Sequence, residues 1–342
     1  MTTRKLLARF KGGNNEGVVV LVLVVLVVLM TLANPEFLSF SNLFSIVRSS
    51  LVPTILALGV LMVIVAGGID VSFTAIAIFA AYSTVAWVGQ RGAGALVLLV
   101  LACAVGAALG LINGMVISKL RLSTLIVTLG TATMFKGVLI AYIGAKYIAD
   151  LPSAMARFGN ANVLSIPSGG AVANLHVFVI PVAGLCILVW WVLSHTMWGR
   201  SLYAYGGDPE AARRAGFPVV RAQIILYTAV GVLAAIGGLM HVTLSRNANP
   251  QDLVGSELDI IAAVVLGGAS IFGGRGSVLG TILGVFLIQI IQNSLILVGI
   301  PSVWQRAAVG AILLLGVGVQ ALSAKRSSRK VFAYADEEVM AA

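Results

Sequence analysis

Ten apolar runs constrain this chain more than any other feature. They fall at residues 17–33, 51–68, 70–89, 93–118, 124–143, 175–194, 222–243, 258–274, 277–297 and 303–322. A helix crosses a hydrocarbon layer in about 20 apolar residues, and only helices or closed barrels satisfy their backbone polar groups there. Of the 342 residues, 59% are hydrophobic and 10% charged, against about 25% charged in a soluble domain. That composition excludes a soluble enzyme, a disordered chain and a nucleic-acid-binding domain. Membrane lipid, not nucleic acid, is the expected surroundings. The fold class is an all-α polytopic membrane protein with about ten transmembrane helices, or eight if two runs are re-entrant. The second and third runs are separated only by Gly68-Ile69-Asp70.

The charges give the orientation. Arg4, Lys5, Arg9 and Lys11 precede the first run, as in a signal peptide. The run is long enough to span and no cleavage site follows it, so it reads as an uncleaved first helix. With the N-terminus inside, 15 of the 22 Lys and Arg fall in segments predicted cytoplasmic, six on the other side, and Lys136 within a span. This is the bias that insertion imposes, and it places both termini in the cytoplasm. It also explains the net charge of +10 without an acidic partner. The organisation expected is a cytoplasmic N-terminal segment (1–16), a single transmembrane domain (17–322) containing a cytoplasmic loop at 195–221, and a cytoplasmic tail (323–342). Trp87, Trp190, Trp191, Trp198 and Trp304 fall near predicted helix ends, as in an interfacial belt. Cys103 and Cys186 lie in apolar runs and indicate no disulfide framework.

Catalytic equipment is missing from the sequence. None of the lysines sits in a phosphate-cradling G-x-x-x-x-G-K-[ST] loop, and no G-x-S-x-G turn occurs. His176, His195 and His241 lack partners at metal-ligand spacing, so no metal site is expected. Transport is the default for a chain that is almost entirely span. The densest polar chemistry lies in the loop, over Gly199–Pro218. Asp208 can cap a short helix, Pro209 suits its first position, and Glu210 complements the helix dipole. Ala211 and Ala212 favour the helix; Gly216 and Pro218 end it. Such a helix either connects two spans or docks a partner.

Polar and small residues inside the apolar runs are the other candidates. Gly67-Gly68 and Gly267-Gly268 allow a span to break or two helices to pack closely, and Gly273-Gly274 follows nearby. Asp70, beside the first pair, is an intramembrane carboxylate that either serves a pathway or caps the next helix with Ser72. Gln289, Gln292 and Asn293 share a helix face by their spacing; Asn113, Thr128 and Thr131 are less tightly patterned. These neutral groups either bond between helices or line a pathway. Glu257 and Asp259 are expected at an outer helix end, and Lys136 either snorkels or pairs with a carboxylate.

Glu210-Ala211-Ala212 followed by Gly216 resembles the E-A-A-x-x-x-G core of permease subunits of ATP-binding cassette importers. The downstream I-x-L-P of that pattern is replaced by Ile224-Ile225-Leu226-Tyr227. Gly67-Gly68-Ile69-Asp70-Val71-Ser72, the Gly199–Gly216 segment and Glu257–Thr281 resemble the sugar-type branch, the group like the ribose, autoinducer-2 and rhamnose permeases. Phe73-Thr74 departs from it, since small or branched residues and then glycine are usual there. The resemblance covers roughly residues 17–325. It implies a multi-pass subunit of a bacterial cell (inner) membrane that forms the pathway for a sugar or sugar-like solute and has no ATPase site or cofactor of its own. ATP and Mg would be bound by cytoplasmic ATP-binding subunits, coupled through Asp208, Pro209, Glu210, Ala211, Ala212, Arg213 and Gly216. A second permease subunit, identical or related, and an extracellular or periplasmic solute-binding protein complete the implied assembly. The alternative function is an ion-coupled secondary transporter of a small polar solute, for which Asp70 would carry the coupling ion.

Overall fold

A computed structural model of the chain describes residues 16–120, 122–168, 171–299 and the positions 301, 304, 307, 310, 311 and 314. The first fifteen residues, most of the tenth run and the tail lie outside the described residues.

Helix α1 (Glu16–Ala33) leads through a 3-10 turn to α2 (Phe40–Val65). The Ser39 hydroxyl accepts from Asn42 N at 3.2 Å and caps α2. The helix therefore starts well before the apolar run expected at 51–68, and its first turns carry Ser45, Arg48 and Ser49. Further on, α2 is apolar on every side, and Ile55–Val65 is buried throughout. A helix of that kind belongs at the centre of a bundle, and α3 (Phe73–Trp87), α10 (Val219–Ser245), α11 (Glu257–Leu266) and α12 (Val278–Leu297) pack around it. The break between α2 and α3 is real and falls where the sequence suggested it.

The other long helices are α4 (Ala95–Leu120), α5 (Thr124–Val138, continued by a π turn to Ile143) and α7 (Val179–His195). Among the described residues six helices are long and apolar enough to cross a membrane, and a seventh crossing arises if α7 and α8 (Met197–Gly207), bent by 71°, form one span. Two expected spans are shorter than the runs implied. The α3 helix has 15 residues and α11 only 10, so they rise about 22 and 15 Å at 1.5 Å per residue. After Leu266 the chain leaves the helix and folds back through Gly267–Ser277. Within this fold-back Gly267, Ala269 and Gly276 are buried, while Phe272 and Arg275 are exposed.

The closest helix pair is α4 with α10. Gly106, Gly110 and Gly114 recur every fourth residue on α4, and a Cβ on Gly110 would overlap the Tyr227 carbonyl oxygen. Small residues at this spacing let two backbones approach, which is how helices associate without a hydrophobic driving force.

The segment between the fifth and sixth runs carries secondary structure of its own. It holds the short helix α6 (Ser153–Gly159) and the antiparallel hairpin β1 (Asn162–Ser168) and β2 (Ala171–His176), so the architecture is mostly rather than wholly helical. Buried His176 locks the hairpin in place: Nδ1 accepts from Phe178 N at 3.2 Å, and Nε2 lies 3.3 Å from the Gly159 carbonyl, to which only a donor can bond. Burial holds its pKa below the ordinary histidine value, which suits this neutral tautomer.

Candidate functional site

Two features occupy opposite ends of the bundle. At the end formed by the start of α2 and the close of α10 lies a cleft of about 500 Å³. Ser45, Arg48, Ser49, Val52 and Pro53 line it from α2, and Gln289 and Gln292 from α12. His241, Ser245, Ser256 and Asp259 add to its polar wall. Positions 45, 48, 49 and 52 follow the spacing of one helix face. Pro53 has no N–H to offer the Ser49 carbonyl, so the backbone as well as the side chains is polar along this wall. Arg48 Nη2 donates to the Leu244 carbonyl at 3.3 Å, and His241 Nε2 lies 3.1 Å from Asp252 Oδ2. Below Leu56 the cleft is closed by the fully packed part of α2.

Of the eight pathway candidates, Gln289 and Gln292 line this cleft. Asn293, one residue further on, does not. Asp70, Ser72, Asn113 and Thr128 instead form a buried node around the turn between α2 and α3. Asp70 Oδ1 accepts from both the backbone N and the hydroxyl of Ser72 at 2.7 Å. Ser72 Oγ in turn accepts from Asn113 Nδ2 at 2.8 Å. Val71 N reaches the Thr128 hydroxyl at 3.3 Å, and Ile69 N the Thr124 hydroxyl at 3.0 Å. Thr131 bonds back to the Thr128 carbonyl. The node thus fixes the turn itself: Asp70 bonds Ser72, the residue before α3, and no side chain caps the first amides of that helix. Phe73 and Thr74, the departure from the family pattern, begin α3 and are buried.

Lys136 finds a carboxylate. Its Nζ lies 3.5 Å from Glu257 Oε1, which also accepts from the Thr74 hydroxyl at 2.6 Å. This pair joins α5 to the starts of both short helices, α3 and α11, and places Glu257 against protein rather than at a solvated helix end. Gly67-Gly68 closes α2, and Gly267-Gly268 closes α11 against the backbone of Gly280. Gly273-Gly274 lies in the loop that follows.

The opposite end carries α9 (Pro209–Arg214). Asp208 Oδ1 accepts from Glu210 N at 3.0 Å and Ala211 N at 2.9 Å. At the other terminus Gly216 takes φ 84°, its N bonds to the Arg213 carbonyl, and Phe217 N bonds to the Ala212 carbonyl. This is the left-handed glycine stop, and the helix has the limits that its sequence predicts. Glu210, Ala211, Arg213 and Arg214 are exposed, with Glu210 and Arg213 paired at 3.2 Å. Ala212 is the correction: it is buried and anchors α9 to the bundle instead of facing outward. The loop at 195–221 also contains more helix than expected, because α8 precedes α9 and packs through Gly199, Leu202 and Gly206.

Residues 42–317 match the family described as the permease component of the branched-chain amino acid transport system. This chain belongs to that permease family. The ribose import permease protein RbsC of Escherichia coli K12 is 33% identical over 304 residues, 87% of this chain and 91% of the relative. RbsC of Bacillus subtilis is 34% identical over 293 residues, 85% of this chain and 88% of the relative. The autoinducer 2 import system permease protein LsrD of Photorhabdus laumondii is 34% identical over 310 residues, 88% and 90% of the two chains. No solved structure matches. The permease is therefore a membrane-spanning transport subunit of an ATP-binding cassette importer rather than an enzyme. Membership in a family of permease components sets aside the self-sufficient ion-coupled carrier.

Proposed function

We propose that this permease forms the pathway for a sugar or sugar-like solute in a bacterial cell (inner) membrane, driven by ATP hydrolysis in separate subunits. The observation that carries this reading is the pairing, in one chain of this family, of a polar cleft at one end with a capped, exposed helix at the other. The cleft volume suits a small molecule. Gln289, Gln292, Ser45 and Ser49 offer both donors and acceptors, which a polyhydroxyl solute requires. A soluble binding protein delivers solute at the cleft end, and two permeases, identical or related, enclose the path between them. ATP-binding subunits dock on Asp208–Gly216 at the other end and hold the ATP and Mg; the permease holds no cofactor.

With both termini cytoplasmic, the hairpin end is outside and α9 inside. In intact cells a cysteine replacing exposed Ser153 should react with an impermeant thiol reagent, and one replacing exposed Arg214 should not. The reverse pattern overturns the orientation. Energy coupling is the test of the function itself. Uptake should persist when ion gradients are collapsed at maintained ATP, and uptake that stops at once under those conditions removes the ATP-driven reading.

A further inference from the structure

Three segments that are far apart in sequence meet at one point next to α9. They are the end of α2 with its turn (Val65–Gly67), the end of α8 (Gly206) and the loop after α11 (Gly273–Gly276). Gly274 N donates to the Val65 carbonyl at 2.9 Å. The Tyr203 hydroxyl of α8 donates to the Gly276 carbonyl at 2.9 Å. A Cβ on Gly206 would overlap the Val65 carbonyl oxygen and stand 2.9 Å from Gly274 N, so the three backbones are in direct contact. Gly67 and Gly273 hold φ of 77° and 87° there, a conformation that side chains disfavour. The adjacent Gly207 faces open space, and after it comes Asp208, the cap of α9.

What converges is therefore the base of α9 and the turns that end α2 and α11. Both of those helices form walls of the cleft. From Leu56 at the cleft floor to Val65 is nine residues of α2, about 14 Å of rigid helix. Backbone packed on backbone leaves no flexible side chain to absorb a displacement, and packed interfaces move as units.

We infer that this junction, with Gly206 as its centre and Tyr203 as its brace, transmits displacement of α9 into the walls of the cleft. Gly206 and Tyr203 are positioning residues for transport: they touch neither solute nor nucleotide. The inference rests on the proposal that α9 is where the ATP-binding subunits dock.

The test uses the assembled transporter in proteoliposomes and reads ATP hydrolysis and solute uptake together. Gly206→Ala should retain the ATP-binding subunits and hydrolysis but lower the solute moved per ATP by about tenfold, a coupling loss of the usual size. Gly207→Ala, one residue along with room for its methyl group, should match the parent. Tyr203→Phe removes only the bond to Gly276 and should lower solute per ATP in the same direction, so the inference stays testable if Gly206→Ala does not assemble. Parental solute per ATP in Tyr203→Phe, or in an assembled Gly206→Ala, overturns the junction. Failure of the docking proposal looks different. It would appear as Glu210→Arg assembling and transporting normally, whatever the glycine variants do.

Discussion

Glu210→Arg and Gly216→Asp should each leave a folded, inserted permease that no longer couples to its ATP-binding subunits. Both positions are exposed, and nothing lies within 4 Å of a Cβ at Gly216, so neither change disturbs the bundle directly. Glu210→Arg replaces the Arg213–Glu210 pair with two neighbouring cations, the new one in the first turn of the helix, where positive charge is least favoured. Gly216→Asp puts a carboxylate at the foot of α9 in a left-handed backbone that Asp tolerates better than most residues. If a partner surface covers α9, an unmatched charge there costs about 2–5 kcal/mol, and uptake should fall by more than about tenfold. The measurement is co-purification of the ATP-binding subunits together with uptake. Parental values in both variants would make α9 a connecting loop and nothing more.

How much of this was legible follows from which physics each element uses. The short helix was readable residue by residue, because Asp208, Pro209 and Gly216 act within one turn of where they stand. The bundle was readable in class and in most of its breaks, because apolar runs report burial in lipid or protein. Length was harder. The same hydrophobicity that marks a span also marks the core of the bundle, so 258–274 reads as one crossing although only Glu257–Leu266 is helical. The glycines that end that helix were visible; that they end it rather than pack within it depends on Gly280, a contact made only after folding.

The cleft shows the opposite failure. The apolar run begins at 51 and leaves out Ser45, Arg48 and Ser49, yet the helix starts at Phe40 and those residues line the cleft. Their spacing is the available signal, and it is hidden because polar residues also mark the ends of spans. Asp70 stands out in the sequence as a lone carboxylate, but its bonds with Ser72 follow from the turn it sits in. The pairing of Lys136 with Glu257 crosses 121 positions, and no local pattern carries it.

Gln289 and Gln292 therefore bear the direct test of the pathway. Replacing both by Leu keeps the helix and most of the side-chain volume but removes two amide groups from the cleft wall. A hydrogen bond lost in a desolvated site costs about 1 kcal/mol or more, and a group left unpaired costs more again. Two such losses should lower uptake by at least about tenfold. Assembly and docking of the ATP-binding subunits should be unchanged, because α9 lies at the other end of the bundle. Asn293→Leu is the matched control, since it alters the next residue of the same helix outside the cleft and should transport like the parent. Uptake of the double variant within twofold of the parent would move the pathway away from this cleft. A loss in Asn293→Leu equal to that of the double variant would do the same, because a face of α12 other than the one lining the cleft would then carry the solute contacts.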